Sequence, residues 1–295
     1  MTRYTHQTAP TQFVEAGGIR FAYRRFGKPG GAPLVFNMHF MGTMDHWDPA
    51  VTDGVAKERE VILFDNAGVS SSSGDVPGSV ADMGANAIAF INALGLEQVD
   101  VLGFSIGGLV AQEIALQAPD LVRRLVLVGT GPRSGESMDT GTPEGKRIFG
   151  AVYEHPNDLW LRVHFTPSDV SQAAGRQFLE RSQIRTEDRD PLVTEQAALA
   201  QRTAIAKWGA KRERAWDYLK DIKQPTLVVN GSNDVVIYTI NSYILQQNLP
   251  NAELIIYPDS AHGSLFQYPA LFVADVTRFL NAEAPFPTEE DTNHG

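Results

Sequence analysis

The chain predicts an α/β fold, a mostly parallel sheet with helices on both faces, and three observations carry that expectation. Short bounded apolar runs alternate with stretches of helical spacing along most of the sequence, a pattern that implies right-handed crossovers between parallel strands. Gly103-Phe104-Ser105-Ile106-Gly107 stands between one such run, Val99-Asp100-Val101-Leu102, and a helical pattern over 109–118. Finally, the alternation is interrupted between about 131 and 215 by a segment rich in Arg, Glu, Gln and Ala that lacks buried-type strands.

The elements follow in order. Phe13-Val14-Glu15 and the run 19–26 read as a hairpin turning at Gly17-Gly18. Short apolar strands come at 33–38 and 61–64, the second ending at Asp65. Residues 79–94 have helical spacing, with Ser79 placed as N-cap and Gly95 just past the end. After the strand into Ser105 and its helix, which stops before Pro119, strands are expected at 125–128, 225–230 and 253–257. Helical patterns at 240–248 and 265–280 follow the last two. Inside the interruption, helical spacing recurs near 144–153, 157–164, 169–183 and 191–209. Its aromatics, Tyr153, Trp160, Phe165, Phe178 and Trp208, either pack on the core or line a pocket under a lid at the carboxyl ends of the strands. The resulting division is a core in two parts, 12–130 and 216–282, a helical cap insertion at 131–215, and a flexible acidic tail at 283–295.

Composition narrows the function. With 295 residues, 43% of them hydrophobic, one α/β domain with a substantial core is expected. A formal charge of -10 argues against nucleic acid or an anionic membrane as partner, since both would repel it. The absence of cysteine excludes disulfides, thiolate catalysis and thiolate metal sites, and it suits a cytoplasmic location. The first ten residues lack the apolar region of a secretory signal, and no apolar run reaches the length of a membrane span.

A serine held on a strand-to-helix turn projects its hydroxyl past the sheet, but it needs a neighbouring base and a third group to orient that base. Of the seven histidines, His6 and His294 lie near the ends, His155 and His164 in the interruption, and His46 in the loop before Trp47. His262 follows the strand 253–257 through Pro258-Asp259-Ser260-Ala261 and precedes Gly263. It therefore falls on a loop at a carboxyl end, where open parallel sheets carry their sites. For the acid, Asp234 in Asn230-Gly231-Ser232-Asn233-Asp234 ends the preceding strand, although such an Asp also serves simply to cap a turn. Asp259 is expected to shape its local turn, Asp221 precedes its strand, and Thr130-Gly131 offers no carboxylate.

The order Ser105, Asp234, His262, with an insertion between the first two, resembles the α/β-hydrolase superfamily, in its serine esterase, lactonase and perhydrolase branch. The resemblance spans about 12–282 and includes the turn through Gly108, the loops 231–234 and 259–263, and Asp65-Asn66-Ala67-Gly68-Val69-Ser70 after the fourth family strand. It implies a mostly parallel eight-stranded sheet, a helical cap, no metal or organic cofactor, and a small-molecule ester or lactone as substrate. Serine at 105 separates the chain from haloalkane dehalogenases and epoxide hydrolases, which resemble the fold but use aspartate. Gly263 replaces the tryptophan of the family's carbon–carbon bond hydrolases, and no lysine is placed for hydroxynitrile lyase chemistry. A cofactor-free perhydrolase or haloperoxidase-like activity, or a ligand-binding receptor on the same fold, remains an alternative. Where relatives carry His-Gly-x, this chain has His39-Phe40-Met41-Gly42. The resemblance implies an oxyanion hole from the backbone N–H groups of Ile106 and Met41, with Phe40 as alternative to Met41, and it leaves His39 a structural hydrogen bonder. Phe40, Phe104 and Trp160 are expected in the substrate pocket; with Met41 and Ile106 they would suit an apolar acyl group.

Overall fold

The strands are sorted by alternation: neighbouring residues go to opposite faces, so a strand buried on both sides is apolar throughout. The computed structural model describes residues 4–283; the expected tail at 283–295 lies, but for Glu283, outside the described residues. β1 (Gln12–Ala16) and β2 (Ile19–Gly27) form the hairpin, and β2 pairs antiparallel with β4 (Glu60–Phe64). β3 (Leu34–Asn37), β4, β5 (Val99–Phe104), β6 (Val122–Val128), β7 (Thr226–Gly231) and β8 (Ala252–Tyr257) run parallel. Together they make one eight-stranded sheet in the order β1-β2-β4-β3-β5-β6-β7-β8, the mostly parallel architecture expected from the sequence.

Leu34, Phe36, Leu63, Leu102, Val126 and Val229 face one layer, in which α1 (Pro49–Ala56) and α10 (Pro269–Asn281) contribute Val51, Phe272 and Phe279. Val35, Ile62, Val101, Leu125, Leu127 and Val228 face the other, built on α2 (Val80–Ala93), α3 (Ile106–Gln117) and α8 (Ile240–Asn248). Ser79 caps α2 by accepting from the Asp82 N–H. Two elements differ from expectation. α1 was not anticipated, although Asp48 accepts from the Ala50 N–H and Pro49 opens the helix, an ordinary start signal. The helix expected over 265–280 is two pieces, α9 (Ser264–Gln267) and α10, because Pro269 has no N–H to continue the ladder.

Between β6 and β7 lie four α-helices, α4 (Pro143–Gly150), α5 (Pro156–His164), α6 (Asp169–Ser182) and α7 (Glu195–Gly209), and a short 3-10 helix at Asp217–Asp221. Ionic contacts fasten this segment to the sheet. The fully buried Arg24 of β2 holds Asp45 and, at 2.7 Å, Asp190 from the α6–α7 connection, while Arg181 of α6 holds Asp48 at 2.7 Å. Among the aromatics of the segment, Phe165 and Phe178 join the α1–α10 layer and Trp208 joins the other. At the amino end of the sheet, buried Asp100 accepts from Arg59 at 2.8 Å and from Arg123 at 2.9 Å. Arg124 beside them donates to the carbonyls of Phe279, Leu280 and Ala282 where α10 ends.

Candidate active site

Ser105 occupies the turn between β5 and α3 with φ 58° and ψ -122°, a conformation that costs a non-glycine residue about 1–3 kcal/mol. Neighbouring backbone enforces it. Ser105 N–H donates to Val128 at 2.9 Å, Thr130 Oγ1 donates to the Ser105 carbonyl at 2.9 Å, and a Cβ at 107 would lie 2.0 Å from the Asn37 carbonyl oxygen. Gly107 is therefore obligatory for α3 to approach β3. Ile106 is the first residue of α3, so its N–H belongs to the amides that find no partner within the helix.

His262 lies in the loop between β8 and α9, buried, with Nδ1 2.8 Å from Asp234 Oδ2. Since the carboxylate accepts, Nδ1–H donates, and Nε2 is left as the basic atom. Asp234 is itself fixed, because its Oδ1 accepts from the N–H groups of Val236 at 2.8 Å and Ile237 at 3.0 Å. It thus caps its turn and holds the histidine at once. Asp259 is used elsewhere, accepting from Thr166 at 2.8 Å and Ser168 at 2.6 Å. Asp221 lies in a short 3-10 helix ahead of β7.

Ser105 and His262 line one cavity of about 460 Å³, walled by Ile106, Leu109, Phe149, Trp160 and Ile205 among others. Of the residues expected in the pocket, Phe40 and Trp160 line it and Phe104 does not. Strand alternation sends Phe104 into the α1–α10 layer, where its ring packs 5.0 Å from that of His262 and 5.4 Å from that of His39. Met41 also departs from expectation. Its N–H donates to Gln201 Oε1 of α7 at 3.0 Å, and it does not border the cavity. That amide is occupied by Gln201, whereas Phe40, the alternative, borders the cavity. His39 Nδ1–H donates to the Phe40 carbonyl at 2.8 Å, and burial, helped by His46, pulls its pKa down to about 3.

His164, which the sequence placed only within the interruption, also lines the cavity. Its ring lies parallel to Trp160 at 5.5 Å and to His262 at 5.9 Å, and its carbonyl accepts from the Gly263 N–H at 3.0 Å. Neither ring nitrogen has a hydrogen-bond partner, and burial holds the ring well below the usual histidine range, hence neutral. The spacing Trp160-x-x-x-His164, one helical turn, could have shown that the two rings share a face. Among the described residues, no cluster of three or more His, Asp or Glu is arranged to hold a metal ion, and no helix is long and apolar enough to cross a membrane.

A serine strained onto a strand-to-helix turn, sharing a cavity with a carboxylate-bound histidine at the rim of a mostly parallel sheet, describes a hydrolase of the α/β type. The chain belongs to the alpha/beta hydrolase fold family, whose profile matches residues 32–269. It is similar to an alpha/beta hydrolase fold protein from Chitinophaga pinensis, with 44% identity and a TM-score of 0.89 over 95% of this chain and 100% of that one. It is also similar to a structure described as Est816, an N-acyl homoserine lactone degrading enzyme, at 25% identity and a TM-score of 0.71, covering 91% of this chain and 100% of that one. A curated relative from Rhizobium rhizogenes carries the name "Putative carbamate hydrolase RutD"; it is 25% identical over 274 residues, 90% of this chain and 99% of the relative.

Proposed function

We propose that this protein is a serine hydrolase that cleaves a carboxylic ester or lactone through an acyl-enzyme. The observation that carries the reading is the Asp234–His262 pair at 2.8 Å, opening on the same cavity as the strained Ser105. Ser105 attacks the carbonyl carbon, His262 Nε2 removes the hydroxyl proton, and Asp234 holds the ring in the required tautomer and stabilises the imidazolium. The proton then passes to the leaving alcohol, and water repeats the sequence to free the acid. The N–H groups of Ile106 and Phe40 receive the oxyanion; removing one such donor typically costs about a hundred- to a thousandfold in rate. In this reading residues 131–215 are the cap, and the apolar wall of Ile106, Leu109, Phe149 and Ile205 takes the carbon skeleton of the substrate.

The relative named for carbamate hydrolysis supports adding carbamates to the substrate panel, since they present the same carbonyl to the same nucleophile. A serine-directed fluorophosphonate should label a single site and block turnover of a p-nitrophenyl ester, and Ser105→Ala should abolish both. Full labelling of the Ser105→Ala protein would place the nucleophile elsewhere. Tight ligand binding without turnover would instead favour a receptor.

A further inference from the structure

The wall of the cavity carries charge that the proposed chemistry does not use. Two cations, Lys146 of α4 and Arg202 of α7, line it against one carboxylate among the described residues, Asp139, in a chain whose formal charge is -10. Both cations are exposed as well as cavity-lining, so a solute at the cavity's edge can touch them. Neither forms an ion pair among the described residues. Asp139 instead accepts from the Thr140 N–H at 2.9 Å. The Arg202 guanidinium lies over the Phe40 ring, 5.5 Å from its centre, and Phe149 of α4 meets the same ring edge-on at 6.2 Å. Stacked on an aromatic face, a guanidinium keeps its N–H donors available and gives up little further freedom when it binds.

We propose that Lys146 and Arg202 are specificity-determining residues that bind a carboxylate at the far end of the substrate's acyl chain, which makes half-esters of dicarboxylic acids the preferred class. The proposal rests on the reading of Ser105 and His262 as nucleophile and base. His262 passes its proton to the leaving oxygen, so the alcohol portion lies against His262, on the side where His164 and Trp160 of α5 stack. The acyl portion is left to the wall around Phe40, where Phe149 and Arg202 converge. Ile106, Leu109 and Ile205 give its methylenes apolar contact, and the terminal carboxylate meets the two cations. Arginine binds a carboxylate through two parallel N–H···O bonds, and lysine adds a point charge. Cations at a water-facing edge also spare the anion the full cost of desolvation.

The test compares p-nitrophenyl hexanoate with mono-p-nitrophenyl adipate, which have the same leaving group and acyl length and differ in a terminal carboxylate, with spontaneous hydrolysis subtracted. In wild type, kcat/KM for the adipate half-ester should at least equal that for the hexanoate. Arg202→Gln and Lys146→Gln should each lower the adipate-to-hexanoate ratio about fivefold, and the double variant about twentyfold. Raising the salt concentration from about 0.05 M to about 0.5 M should lower the wild-type ratio and leave that of the double variant nearly constant. An ester of the same length ending in trimethylammonium should be a poorer substrate than the hexanoate for wild type and should gain in the double variant. A ratio unmoved in the double variant, an equal fall for both esters, or a wild-type preference for the trimethylammonium ester over the adipate would overturn the proposal. Hydrolysis of the hexanoate surviving in Ser105→Ala would instead sink the nucleophile assignment, so the two failures are told apart.

Discussion

The two ends of β5 are built on opposite terms. At its amino end the buried Asp100 is gripped by Arg59 and Arg123, while Arg124 ties off the carbonyls that close α10. At its carboxyl end Ser105 is bent to φ 58° and the nitrogens of His164 find no partner. One end spends most of its polar groups on each other, with only the Arg59 Nε left over; the other keeps a strained serine on a cavity and two buried nitrogens unpaired. The paired end serves the fold, whereas the strained serine is what a substrate can use. Even the paired end is no free source of stability. Burial pushes the Asp100 carboxyl above its usual range despite its arginine neighbours, in line with the modest net worth of buried ion pairs.

Three measurements bear on this contrast. Asp234→Asn should cut kcat by about ten-thousandfold, because the amide stabilises the wrong imidazole tautomer. Its remaining oxygen can still cap Val236 and Ile237, so Tm should change little; a large fall in Tm would mean that the rim is also structural. Asp100→Ala should show the reverse. Stranding buried Arg59 should cost about 3–5 kcal/mol, read by urea unfolding, while kcat/KM per folded molecule stays at the wild-type value.

The smallest effect concerns pH. Asp65, at the carboxyl end of β4, is held well above the usual carboxylate range by burial and by the nearby charge of Asp190, and Asp190 is itself pushed up to about 6, chiefly by burial. The folded chain therefore retains protons that the unfolded chain has already released. The stability this gives is complete below the ordinary aspartate value and is lost as pH rises through about 6. Asp65→Asn should remove the Asp65 share of that pH dependence, gaining stability at pH 8 and little at pH 4. A parallel shift at both pH values would break the assignment.

The core was legible because its signals are local. Alternation and length mark β3 through β8, and the serine turn, the Asp234 loop and the His262 loop each sit directly after a strand, so topology alone brings them to one rim. The rest depended on chain distant in sequence. Gln201 reaches Met41 across 160 positions, and no pattern around Met41 signals that its amide is occupied. Phe104 neighbours the nucleophile, yet the period of the strand turns it to the other face. The place of His164 beside His262 depends on how α5 docks on the 262–264 loop, which helical periodicity does not encode. α1 was the avoidable miss, since Asp48-Pro49 announces it.

The contact between Gly263 and His164 has a consequence for traffic. A Cβ at 263 would lie 2.5 Å from that of His164, and the 263 amide is bonded to the 164 carbonyl. α5 and the loop of His262 are therefore packed without a gap at this point, which closes that flank of the cavity. The opposite flank, from α4 and α7, presents Phe149 with exposed Lys146 and Arg202 at the cavity's edge. The exposed lining residues put the solvent-facing edge of the cavity at these two helices, beside one aromatic and two cations.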